Sequence, residues 1–294
     1  MKILITGSNG LLGQKIVKLC LKYNISFLAT SKGENRNPDC PSNNYFSLDI
    51  TNKLEINGVF EAFYPTHIIH TAAITNVDQC ESDKKLCKEV NIDATNSLFD
   101  VSQRFSAHFQ LLSTDFVFDG TKGMYSEEDE VNPLSYYAQS KVEAENLLRK
   151  STYTNWSIVR TIIVFGQGNN LSRSNIVLWV KDSLSKNQNI KVVNDQFRMP
   201  TWAEDLAWGC LKICEKNKTG IFHLSGKDFK SMYDFAIQIA DFYHLDKSLI
   251  EEISSESLNQ PAKRPPKTGF NLSKARNELG YDPKSLHECL ELID

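Results

Sequence analysis

No apolar run in this 294-residue chain approaches the roughly 20 residues that cross a bilayer; stretches such as residues 158–164 are far too short. There is no basic excess either. A net charge of -3 and a pI near 6.1 argue against a surface built for nucleic acid. The seven cysteines (Cys20, Cys40, Cys80, Cys87, Cys210, Cys214 and Cys289) are odd in number and scattered, which excludes a disulfide framework as the organising principle. Cys210 and Cys214 stand four apart on a predicted helix. With no histidine or second cysteine pair beside them they read as small core residues, not metal ligands. The first residues run straight into a strand pattern without the zones of a signal peptide, so the expected location is the cytoplasm.

What is present is a rhythm. Buried-strand patterns at residues 2–6, 25–30, 44–48, 67–71, 108–113 and 156–163 alternate with amphipathic segments at 11–23, 52–64, 82–104 and 134–149. Such alternation predicts an α/β fold, a doubly wound parallel sheet of Rossmann type with right-handed crossovers. Past Gly166 the rhythm loosens into Asn-, Ser- and Lys-rich connections. The expected division is a dinucleotide-binding domain over residues 1–165 and a smaller substrate-binding lobe over 166–294, with some elements returning to the sheet. The acidic run from Glu127 to Glu130 reads as a solvated loop face.

The first strand and helix are joined by Gly7-Ser8-Asn9-Gly10-Leu11-Leu12-Gly13. Gly7 permits a tight turn, Gly10 lets backbone approach a pyrophosphate, and Gly13 lets helix and strand pack closely; the helix N-terminus then offers free N–H groups to the phosphates. A plain strand–helix turn is the blander alternative, and the position between a strand and a helix is what favours the cofactor reading. An acidic residue for the ribose of NAD(H) is expected about 20 residues on, yet the second strand ends Ala29-Thr30-Ser31-Lys32. Ser31 and Lys32, with Arg36, can hold a 2′-phosphate, which favours NADP(H) over NAD(H), although Lys32 also fits a solvated loop lysine. Asp49 and Ile50 after the third strand are placed to meet an adenine edge. His70, ending the fourth strand, is a candidate ligand contact.

Tyr137 and Lys141 lie one helical turn apart. A nearby ammonium favours the phenolate of a tyrosine and so fits it for proton transfer to a carbonyl oxygen. The same spacing recurs at Tyr243 and Lys247, so spacing alone does not decide. Tyr137 is preferred because the fifth strand ends at Thr114, whose hydroxyl can hydrogen-bond the same carbonyl oxygen.

Together the glycine loop, Thr114, Tyr137 and Lys141 resemble the extended short-chain dehydrogenase/reductase superfamily. The segment Val90-Asn91-Ile92-Asp93 resembles its helix motif, which puts Asn91 in the fourth catalytic and largely structural place, near a water relay to Lys141. Thr71-Ala72-Ala73 resembles the segment that lines the cofactor. Within the superfamily the chain is similar to the dTDP-4-dehydrorhamnose reductases through residues 113–120, 193–201 and 264–272. That likeness implies reduction of a nucleotide-activated 4-keto-6-deoxy sugar. It places substrate contacts at Asp115, Asp195, Gln196, Arg198, Thr201 and Arg264, and raises a homodimer as the assembly. Ile162-Ile163 stands where those reductases carry Ser-Trp, His70-Thr71 where Asn-Ala is commoner, and Arg198 where a small residue is usual. Phe116 stands where a 4,6-dehydratase has glutamate, and no cysteine follows the fifth strand as in epimerase-reductases. Two alternatives remain: an NADP-binding regulatory subunit of the methionine adenosyltransferase type, and a reductase of another carbonyl class.

Overall fold

A computed structural model of the protein describes residues 1–293; Asp294, the last residue of the expected second lobe, lies outside the described residues. Seven parallel strands form the main sheet: β1 (Lys2–Thr6), β2 (Ser26–Ser31), β3 (Tyr45–Ser47), β4 (His67–His70), β5 (His108–Thr114), β6 (Trp156–Thr161) and β7 (Gly220–His223). Their order is β7-β6-β5-β4-β1-β2-β3. The chain winds outward from β1 to one edge, then returns to build β4 to β7 on the other side. The doubly wound α/β class expected from the strand–helix rhythm is therefore the observed one.

Both faces of the sheet are covered, which is why its strands read as apolar runs rather than alternating ones. Along β1, Ile3 and Ile5 face a core shared with Ile16, Val17 and Cys20 of α1 (Leu11–Lys22). Leu4 faces the opposite core, with Ile56 and Phe60 of α2 (Lys53–Phe63) and Leu98 from farther along the chain. Helix α2 starts where its cap dictates: the Asn52 side chain accepts hydrogen bonds from the N–H groups of Leu54 and Glu55.

Two expected elements differ. The helix predicted over 82–104 is broken into α3 (Val77–Ser82), α4 (Lys84–Lys88), a π-helical turn over Glu89–Asp93, and α5 (Ala94–Arg104). Asp83 leaves helical geometry at φ -127° and ψ 74° and caps α4 by accepting from Leu86 N–H. The wide turn carries Asn91, whose side chain is drawn into side-on hydrogen bonds described below. The strand predicted to run to Ile163 stops at Thr161, because Ile163 sits at φ +30°, a conformation a β-branched residue rarely takes. Thr201 holds the break: its hydroxyl donates to Ile162 C=O at 2.6 Å, and its N–H bonds the carbonyls of both Ile162 and Ile163.

The later residues contribute β7 to the main sheet and build a second apolar core from Phe165, Val177, Trp202, Phe235, Ile239 and Leu290. Glu127 departs from the solvated face expected of its acidic run: it is buried and accepts the N–H of His223, and burial pushes its carboxyl up. Cys210 and Cys214 are buried in the main core. No helix among the described residues is long and apolar enough to cross a membrane.

The glycine loop is closed by sterics. Gly7 lies at φ +71° with Ala72 backbone against it, and a Cβ on Gly13 would stand 2.5 Å from Gly7 C=O. Gly13→Ala is therefore expected to lower stability by about 1–3 kcal/mol in urea denaturation. Unchanged stability would mean that loop and helix can separate without cost.

Candidate active-site cleft

One cleft of about 830 Å³ opens along the carboxyl ends of β1, β2, β4 and β5, the edge at which a doubly wound sheet receives its ligand. Its wall on the α1 side is Gly7, Asn9, Gly10, Leu11, Leu12 and Gly13. Helix α1 has no side-chain cap, so its first N–H groups remain available to an anion. The Asn9 side chain is occupied in bracing the next loop: it donates to Glu34 C=O at 2.8 Å and accepts from Arg36 N–H at 2.8 Å.

Ser31, Lys32 and Arg36 line the same end, with Asp49 and Ile50 opposite. Lys32 bonds Asp49 at 2.6 Å, which holds the Asp49 carboxyl below the usual carboxylate range. Thr71, Ala72 and Ala73 line the middle of the cleft, and the Thr71 hydroxyl is tied to Thr6 C=O at 2.7 Å.

At the floor stand Thr114, Asp115, Tyr137 and Lys141. Tyr137 and Lys141 project from α6 (Tyr136–Arg149), which starts at Ser135 because that hydroxyl caps Ala138 N–H. Both side chains are buried against the end of β5. Burial pushes the Tyr137 phenol well above its ordinary value, opposed by its hydrogen bond with Thr114. The lowering by a neighbouring ammonium expected from spacing is thus not what governs Tyr137; loss of water does. Burial also lowers Lys141 from the ordinary 10.5 to about 8, opposed chiefly by the charge of Glu145. Thr114 donates to Asp115 at 3.1 Å and accepts from Phe116 N–H at 3.2 Å. Asp115 in turn accepts from Thr268 and faces Arg198 at 3.8 Å.

The second copy of the spacing has a different geometry. Tyr243 caps the helix Met232–Phe242, whereas Lys247 lies in a separate short turn and pairs with Asp241 at 2.6 Å.

Other expected site residues are placed elsewhere. Asn91 is buried behind the cleft, its amide consumed by structure: it accepts from Ile74 N–H at 2.8 Å and donates to Ile74 C=O at 3.0 Å and Ser140 at 3.1 Å. His70 is set back from the cleft; its two ring nitrogens bond Thr6 at 2.7 Å and Thr95 at 3.1 Å, and burial lowers it to about 3. Arg198 is fully buried and donates to the carbonyls of Phe197, Pro265 and Pro266, with Gln196 bonded to the same guanidinium, so both brace a loop. Asp195 accepts from Ser255, and Thr201 clamps Ile162. Arg264 is paired with Asp78 of α3 at 2.7 Å, joining the two halves of the chain. None of these six, nor His70, lines the cleft.

Sequence reasoning missed the segment 171–175, which closes the cleft from the other side. It is anchored by Asn169 on Gln14, by Asn170 on Arg36 C=O at 3.2 Å, and by Arg173 on Thr75 at 3.2 Å. Its Asn/Ser composition marks a loop and nothing more, so no periodicity could have found it.

The family model of the RmlD substrate binding domain matches residues 1–293. A dTDP-4-dehydrorhamnose reductase of Aggregatibacter actinomycetemcomitans is 34% identical over 99% of this chain and 98% of its own. The crystal structure of a dTDP-4-dehydrorhamnose reductase from Clostridium acetobutylicum superposes with a TM-score of 0.86 at 34% identity, covering 99% of each chain. That of the Bacillus anthracis protein in complex with NADP gives 0.83 at 27% identity, over 99% of this chain and 98% of the other.

A lysine held below its unfolded value destabilises the fold wherever it is charged. The penalty is complete below about pH 8 and fades as the pH rises towards 10.5, because in that window the unfolded chain binds the extra proton. Lys141→Met should therefore raise stability at pH 7 by about 3 kcal/mol, a gain that shrinks above pH 8. A loss of stability at pH 7 in urea titration would contradict the buried-cation picture.

Proposed function

The chain belongs to the RmlD substrate binding domain family, and on that footing we propose that it is an NADP-dependent reductase of a nucleotide-activated 4-keto-6-deoxy sugar, of the dTDP-4-dehydrorhamnose reductase type. The observation that carries the reading is the convergence of Thr114, Tyr137 and Lys141 at the floor of a cleft whose other end is the glycine loop.

The residues present fit a dinucleotide. Gly7 and Gly13 are packed so tightly that a Cβ would collide with backbone, which leaves the approach to the α1 N-terminus smooth. In this reading Gly7, Asn9, Gly10, Leu11, Leu12 and Gly13 flank the pyrophosphate, and Asp49 and Ile50 the adenine. Ser31 and Lys32, with Arg36, meet the 2′-phosphate. Thr71, Ala72 and Ala73 line the middle. NADPH, when bound, supplies the hydride for the C4 carbon of the sugar.

Tyr137 gives its proton to the carbonyl oxygen as that oxygen gains charge. A phenol kept protonated by burial is suited to act as acid rather than base. Lys141 lies one turn away, stabilises the tyrosinate left behind and can hold the nicotinamide ribose. Thr114 orients the carbonyl by turning its hydroxyl proton from Asp115, where it rests, to the carbonyl oxygen. Asn91 acts by tying the π-helical turn to α6 rather than by touching substrate. Residues 1–165 would then carry the cofactor and 166–294 cover the sugar. Arg173 is better placed to reach an anionic substrate than Arg198 or Arg264, which are committed to carbonyls and to Asp78. A cytoplasmic homodimer is the assembly that accompanies this reading.

Tyr137→Phe should cut kcat about a hundred- to ten-thousand-fold, followed by NADPH absorbance with dTDP-4-keto-6-deoxy sugar generated in place, while NADPH binding is retained. A wild type that binds NADPH tightly but turns over no nucleotide sugar would overturn the assignment and favour the regulatory-subunit alternative. Lys32→Ala with Arg36→Ala should weaken NADPH binding at least about tenfold and NADH binding little, measured by fluorescence titration. Equal losses for both would remove these residues from the 2′-phosphate.

A further inference from the structure

Helix α6 buries Tyr137, Lys141 and Glu145 along one stripe, at intervals of four residues. Glu145 is fully buried, and its carboxylate is held on three sides. Arg160 of β6 bonds both oxygens, at 3.0 Å through Nε and 2.7 Å through its terminal nitrogen, and the Ser113 hydroxyl of β5 donates at 2.6 Å. Arg160 is equally buried, lies over the Phe118 ring and contacts His223 of β7 at 3.4 Å. Removing such a pair from water costs several kcal/mol, and replacement by apolar residues is often neutral or stabilising. The fold alone therefore gives no reason for an ion pair one turn behind the cleft lysine.

We infer that Glu145, locked in place by Arg160 and Ser113, is a positioning residue that keeps the Lys141 ammonium charged at the cleft floor. This role rests on the proposed reductase reading, in which a charged lysine stabilises the tyrosinate. Lys141 is packed among groups that offer it little else. Tyr137 shares its helix. His70 comes from β4 and is kept neutral by burial and by Lys141 itself. The thiols of Cys80 on α3 and Cys87 on α4 act on Lys141 in the same direction as Glu145 and less strongly. Asp115 at the end of β5 acts on Tyr137 and is matched by Arg198. His223 faces Arg160, which turns its charge towards Glu145. Glu145 is the carboxylate that acts first on Lys141, opposing the loss of water. Glu145 shares a helix face with Lys141, one turn on, whereas Arg160 reaches the pair from β6.

The test is the titration of Lys141 in the full chain, followed by 13C NMR of ε-13C-lysine and assigned with Lys141→Met. Glu145→Gln should lower the Lys141 midpoint by about one pH unit, and Glu145→Asp, which keeps the charge, should restore most of it. The descending limb of kcat/KM against pH should move by the same amount in the same direction. If Glu145→Gln fails to fold around the unpaired Arg160, Glu145→Gln with Arg160→Met removes both charges and should lower the midpoint in the same direction by a smaller amount, since no stranded cation is left beside the lysine. A cooperatively folded variant of either kind with an unshifted midpoint would overturn the role. Since the midpoint is read without substrate, a wild type inactive on nucleotide sugars would fail the reductase reading while leaving the electrostatic result readable.

Discussion

Everything at the cleft follows from the parallel sheet. Parallel strands need crossovers, and right-handed crossovers deliver every carboxyl end to one edge. Here β1 and β4 are neighbours although residues 7–66 separate them, and the loops leaving these two strands part in opposite directions. The gap between them is the cleft. The glycine loop after β1 forms one lip and Thr71-Ala72-Ala73 after β4 the other, close enough that Thr71 bonds back to Thr6. Thr114 at the end of β5 is the next position along. Tyr137 and Lys141 then reach the same point because α6 packs against β5.

Around that edge the protein carries buried charges that a purely structural core would avoid. Glu145 with Arg160 lies behind Lys141, and Asp115 with Arg198 behind Thr114. The first pair ties α6 to the strand that follows it and the second ties β5 to a loop far along the chain, and each cation is further satisfied by carbonyls, a ring face or a histidine. Leaving one partner alone would strand a charge away from water, which costs more than the pair contributes. The two pairs thus tie α6, β5, β6 and the loop of Arg198 together around the residues that line the cleft floor.

Much of the site was legible because its chemistry is local in sequence. The glycine loop spans seven consecutive residues, and Tyr137 with Lys141 a single turn. Thr114 ends a strand whose apolar pattern announces the end. The substrate contacts were harder. Asp195, Arg198, Thr201 and Arg264 look like ligand groups by type, yet each is bonded to chain distant in sequence (Ser255, Pro265, Ile162 and Asp78), and Gln196 is bonded to Arg198. Segment 171–175 showed the converse, a polar loop without pattern that tertiary contacts draw over the cleft. The long helix expected at 82–104 failed for a related reason. Its periodicity is helical throughout, but Asp83 caps a new start and Asn91 prefers partners on α6 and the loop after β4.

The amino-acid sequence by itself determined the strand–helix alternation and the doubly wound class, and it singled out the glycine loop, Tyr137 and Lys141 as candidates, since these rest on patterns local in the chain. Only the tertiary structure decided what those groups experience. Burial turns Tyr137 into a phenol that keeps its proton and makes Lys141 easier to discharge, and Glu145 opposes that discharge. It also converts Arg198 and Arg264 from apparent ligand hands into braces. The reason is physical: a residue's charge state and its free hydrogen-bonding capacity are set by what surrounds it in space, and for these positions much of the surroundings comes from other strands, helices and loops of the chain.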